Sequence, residues 1–112
     1  MKNIKSLDVV RSRYEYSNTL AVMANNKDGS AYGVCTVYLE GQSEKLGSDE
    51  AFVDTNNWTD LDQQLESAGL AKPIERFGQS GFCIYPAMKF DLKKIRDMNA
   101  KPSNPAGEDS PF

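Results

Sequence analysis

The side chains best suited to chemistry in this sequence are Asp54, Asn56, Asn57, Ser80 and Tyr85, polar groups close to the ends of apolar runs, where active sites are built. An enzyme made from them would be histidine-free and centred on Asp54 and Ser80. Asp54-Thr55-Asn56-Asn57 leads straight into a helical pattern, however, and short polar residues at such a junction are what turns and N-caps require. Ser80-Gly81 is more simply a loop entering a strand, since no neighbour is equipped to act as base for the hydroxyl. Turn and cap duties account for these residues, so none is assigned a catalytic role.

Composition narrows the chemistry further. The 112 residues include no histidine, which removes the commonest general base near neutral pH and the commonest metal ligand, and with them Ser-His-Asp, Cys-His and His-zinc sites. Cys35 and Cys83 form no CxxC pair and are expected to be reduced, buried thiols. Asp60 and Asp62 are two positions apart, hence on different faces of a helix, and do not make a glycosidase-like pair. Gly41, Gly47, Gly78 and Gly81 fit neither GxGxxG nor GxxxxGK[ST]. No cofactor and no metal is expected. No window approaches the ~20 apolar residues of a membrane span, and the N-terminal basic residues have no apolar run behind them; the expected location is the cytoplasm.

Charge is more informative than catalysis. The net −3 opposes direct nucleic-acid binding. Two basic groups, Lys2, Lys5, Arg11, Arg13 and Lys89, Lys93, Lys94, Arg96, Lys101, are accounted for by a solvated strand face and a solvated helix face. Between them, residues 40–66 hold eight carboxylates against Lys45 alone, a net −7. Glu40, Glu44, Asp49, Glu50, Asp60, Asp62 and Glu66 are therefore the candidate partner-binding residues, able to occupy a basic channel on another protein with fast, salt-sensitive association.

These groups must be positioned by a small α+β domain. Val9–Tyr16 alternates Val10, Ser12, Tyr14, Tyr16 with Val9, Arg11, Arg13, Glu15, the period of a strand. Thr19–Ala24 and Ala31–Leu39 follow as strands, joined by a turn at Asp28-Gly29. Residues 40–49 and 72–81 read as loops, and residues 51–55 as a short strand or a lead-in to the helix. Trp58, Leu61, Leu65 and Ala68 share one face of a helix predicted over residues 57–69, ended by Gly69 and Pro73. Phe82–Tyr85 is an apolar run expected to be a covered or central strand, although Pro86 would end it or place it at an edge. Leu92, Ile95 and Met98 behind Asp91 predict a second helix, and Ala100–Phe112, with three prolines, a disordered tail. The expectation is one α+β domain over residues 1–99, an antiparallel sheet of four to five strands with two packed helices, and a flexible tail at 100–112.

Ala51–Asn57, Gly69-Leu70, Ser80-Gly81-Phe82, Tyr85-Pro86 and Phe90-Asp91, with Tyr14, Asn18, Leu20-Ala21, Gly29 and Thr36-Val37 upstream, resemble a family of small uncharacterised bacterial proteins often carried on phages and conjugative elements. The resemblance spans roughly residues 14–98 and brings no catalytic residues with it. It implies a mobile-element accessory protein, a class that includes inhibitors of host defence such as anti-CRISPR proteins. The expected function is accordingly non-enzymatic: binding and inhibition of a host defence protein or nucleoprotein complex that presents a basic surface. A small structural or regulatory homodimer, self-associating through a sheet edge or exposed aromatics, is the alternative from a different class.

Overall fold

The segment Ala31–Val37 is extended throughout but serves two sheets, and the change of allegiance falls at Cys35. Its N–H donates to the Val22 carbonyl at 2.8 Å on one side, and its carbonyl accepts from Asp54 N at 2.8 Å on the other. The computed structural model describes residues 1–99, which form eight strands in two four-stranded sheets, one α-helix and two 3-10 turns. The expected single sheet of four to five strands is thus replaced by two, because the strand read as Ala31–Leu39 divides into β3 (Ala31–Val34) and β4 (Thr36–Val37). The expected tail, residues 100–112, lies outside the described residues.

In the first sheet β1 (Asp8–Arg13) pairs antiparallel with β2 (Leu20–Asn25), from Asp8 opposite Asn25 to Arg13 opposite Leu20, and β2 pairs with β3. The predicted turn is present: Gly29 takes φ +94°, and Asp28 Oδ1 accepts from both N and Oγ of Ser30. β1 stops at Arg13, short of the expected Tyr16, and Tyr16 stands in solvent within the next turn.

The second sheet runs β4, β5 (Glu50–Val53), β7 (Cys83–Phe90), β6 (Ala71–Ser80). Residues 72–81, expected to be a loop, are mostly the longest strand among the described residues. Gly78 is there because a side chain does not fit: a Cβ would lie 2.6 Å from Leu39 Cδ1 and 2.8 Å from the Phe52 ring. Gly81 at φ +60° opens the two-residue turn between β6 and β7, as a type II′ turn requires. Pro86 neither ends β7 nor lies at an edge. In such a hairpin Phe77 and Pro86 face each other as a pair that exchanges no hydrogen bonds, so the missing N–H costs the β6 ladder nothing, and the pairing with β5 has already ended at Ala87.

The one α-helix, α1 (Leu61–Ser67), is shorter than the predicted 57–69. Trp58 lies in the turn before it, yet Trp58, Leu61 and Leu65 share the buried face that their spacing predicts. They join Val22, Val53, Met88, Phe90 and Ile95 in the main core, while Leu39, Phe52, Tyr85 and Ala87 form a smaller one under the second sheet. The second expected helix is absent. Asp91 instead organises a turn, accepting from Lys94 N at its carbonyl and from Lys93 N at Oδ1, and β8 (Arg96–Asp97) then pairs parallel with β1. Leu92 and Ile95, three apart, bury as well from one turn as from a helix, and the open edge of β1 supplies the competing partner. Arg96–Asp8 at 2.8 Å and Arg11–Asp97 at 3.6 Å fasten it. Cys35 is fully buried, which pushes its thiol up to about 12, whereas Cys83 is only half-buried, short of the expectation; both are free.

Candidate functional site

Asp54 directly follows β5 and is buried, with both carboxylate oxygens in use: Oδ1 accepts from Asn57 N at 3.1 Å and Oδ2 from Asn57 Nδ2 at 2.9 Å, while its carbonyl accepts from Trp58 N. This is the side-chain-capped turn that short polar residues at the junction are expected to make, and it delivers Trp58 to the core. Ser80 is exposed, paired with Cys83 at the mouth of the β6–β7 turn. Asp54→Ala should leave the Asn57 N–H unpaired and cost about 1–2 kcal/mol, a fall in Tm of about 5–10 °C, with Asp54→Asn closer to wild type. An unchanged Tm with a lost activity would instead point to the enzyme built on Asp54 and Ser80.

The seven candidate carboxylates do not share one surface. Glu44 is exposed but engaged, bonded to the Tyr38 hydroxyl and to Gly41 N. The Tyr38 bond leads in holding its carboxyl below the usual glutamate range and in pushing the tyrosine up. Glu50 Oε1 accepts from Gly47 N at 2.7 Å, and Asp49 faces Lys89 at 3.8 Å. Glu40 is exposed on the same loop. That loop is fixed to β6: the Gln42 carboxamide accepts from Gln79 N and donates to Gln79 O, both at 2.9 Å. Glu66, by contrast, lines a cleft of about 630 Å³ with Asp49, Lys72, Lys89, Asp91 and Lys93. Gln79 and Lys72 pair with Ile84 and Lys89, five residues apart on β7, which puts the Gln42 end of the loop roughly 16 Å from the cleft; Asp49, at the other end of the loop, lines the cleft with Glu66.

What remains together is α1. Asp60, at φ +64° with no capping bond from its side chain, precedes it; Asp62 and Glu66 stand one turn apart on it; and among the described residues none of the three makes an ion pair. Glu66 lies in the last turn, where the helix carbonyls disfavour an anion and no basic residue of the helix offsets it. Lys94 Nζ reaches the Gly69 carbonyl just beyond, at 3.3 Å. Sequence reasoning found the charge but not its division between the 40–50 loop and the helix, since engagement with Gly41 and Gly47 depends on the conformation of an irregular loop and engagement with Lys89 on a tertiary contact.

Among the described residues, no three His, Cys, Asp or Glu side chains gather as metal ligands would, and no helix is long and apolar enough to cross a membrane. Comparison with curated proteins and with solved structures gives no match. A family model described as a domain of unknown function matches residues 6–105, nearly the whole chain and wider than the 14–98 of the sequence resemblance. The protein belongs to that family, DUF4313.

Proposed function

We propose that this protein acts by binding and not by catalysis, as a mobile-element inhibitor that engages a basic surface of a host defence protein or nucleoprotein complex in the cytoplasm. The observation that carries this reading is the state of α1: Asp60, Asp62 and Glu66 are carboxylates without an ion pair among the described residues. Asp62 and Glu66 are like charges at i,i+4, which costs a few tenths of a kcal/mol in the free protein. An approaching lysine- or arginine-rich surface would relieve that repulsion and the unfavourable placement of Glu66 together, which favours complex formation at low salt. Asp49 lies in the cleft with Glu66, while Glu40, Glu44 and Glu50 would contribute at longer range, through the field of the loop rather than through contacts.

The test is capture of partners from host lysate, with an assay of defence activity alongside. Wild-type protein should hold its partner at low salt and release it as salt rises, and the triple reversal D60K/D62K/E66K should lose both capture and inhibition. These are surface positions, and with the cost of a lysine in the left-handed conformation of Asp60 its stability should fall by no more than about 1–2 kcal/mol, leaving the protein folded. Retention of the same partner and the same inhibition by the folded triple variant would overturn the assignment.

A further inference from the structure

The β6–β7 hairpin turns large apolar side chains toward water. Phe77 is 68% exposed, Ile84 is 61% exposed and Phe82, in the turn, is fully exposed. The register places the Phe77–Pro86 and Gln79–Ile84 pairs on one face of the sheet, opposite the face where Gly78 and Tyr85 meet the smaller core. Phe77, Pro86 and Ile84 thus form a stripe with Phe82 at its end. With ~200 Å² for an exposed phenylalanine, the three large side chains leave roughly 450 Å² of apolar surface in one place, as large as the biggest patch on an ordinary monomer.

The edge of β6 is closed to a partner, but this face is open. Gln42 occupies the N–H and carbonyl of Gln79, Pro73 lacks an N–H, and between Pro73 and Phe77 the strand carries two extra residues that break its register, with Glu75 at φ +58°. Glu75 and Arg76, opposite charges adjacent in the chain, lie in this irregular stretch immediately before Phe77, both exposed. Neither forms an ion pair among the described residues, and Arg76 makes only a 3.4 Å contact to the Lys45 carbonyl.

We propose that the outer face of the β6–β7 hairpin is the interface of a twofold homodimer, with Phe77, Ile84 and Phe82 at its centre and reciprocal Glu75–Arg76 pairs between copies at its rim. Two arguments select a second copy as the occupant. Two such patches bury about 900 Å² of apolar side chain, and the rim residues carry the total past the ~1,000 Å² that a specific interface needs. A twofold axis brings residues near it against their own neighbours, so an adjacent acid and base are self-complementary where a lone charge would meet its copy. This interface is independent of the acidic residues on α1.

Light scattering and sedimentation of the full chain from about 1 to about 300 µM, the range in which a small interface half-assembles, should show growth from 12.4 kDa toward twice that mass. Phe77→Ser with Ile84→Ser should weaken dimerisation at least about tenfold with an unchanged circular dichroism spectrum. Glu75→Arg and Arg76→Glu should each weaken it alone, and mixing those two variants should restore a heterodimer; this arm does not depend on how the serine variant folds. A wild-type chain that stays at 12.4 kDa throughout, or a dimer indifferent to both sets of substitutions, overturns the proposal.

Discussion

Replacing Trp58 by alanine should cost about 4 kcal/mol, and since a domain of this size holds only about 5–15 kcal/mol in all, the variant should lose between about a quarter and most of its stability. Trp58 is 2% exposed, meets Tyr32 edge-on with ring centroids 5.6 Å apart, and approaches Gly33 so closely that a Cβ there would lie 3.4 Å from its ring. It joins β3, the turn begun by Asp54 and α1, and the cavity it leaves is bounded by backbone on the Gly33 side, which cannot collapse inward. Its Nε1–H has no acceptor among the described residues, and an unpaired buried donor costs about 1–3 kcal/mol. Trp58→Phe discards that burden along with part of the ring, so it should cost less than about 2 kcal/mol, well under what lost volume alone implies. Urea unfolding followed by circular dichroism measures both. A Trp58→Ala protein within about 1 kcal/mol of wild type would mean that the main core does not depend on this ring.

Gly78→Ala adds a single methyl group and should nevertheless cost about 2–3 kcal/mol, with Gly78→Val worse. The new carbon would sit inside contact distance of Leu39 Cδ1 and of two ring atoms of Phe52, and both residues are themselves buried in the smaller core. Neither can yield without disturbing Tyr85 or Ala87. If crowding is the cause, Leu39→Ala introduced beside Gly78→Ala should cost less than the sum of the two single changes, by about 1 kcal/mol or more. Strict additivity would locate the defect in the backbone of β6 instead.

Gly78 also explains why one strand of the second sheet, β6, is hidden from sequence inspection. Glycine and proline mark turns when nothing else is known, so residues 72–81 looked like a loop; the close packing that demands glycine is a tertiary fact. The same holds for Leu92 and Ile95, whose spacing suits a helix or a single turn equally, and whose fate was settled by the unpaired edge of β1 far away in the chain. Local rules succeeded where the determinant was local: the Asp28-Gly29 turn, the buried face of Trp58, Leu61 and Leu65, and the polar junction at Asp54. Within the candidate site, the acidic character of residues 40–66 was legible, as was the helical neighbourhood of Asp62 and Glu66. The apolar stripe was not, because Phe82–Tyr85 as a continuous apolar run suggested cover on both faces; only the register shows that Ile84 and Tyr85 point opposite ways.

The pairing of β8 with β1 has a consequence for how the protein is made. Asp8 and Arg96 are joined by a hydrogen-bonded ion pair across 88 positions, and Met98 N donates to the Arg11 carbonyl. During synthesis β1 and β2 leave the ribosome early as a hairpin, but the outer edge of β1 stays open until residues 96–98 have emerged. Contacts so distant in sequence slow folding, and an open strand edge invites pairing with another nascent chain. The domain is therefore completed only after nearly all of it has been translated, and the growing chain depends during that interval on whatever in the cell shields exposed strands.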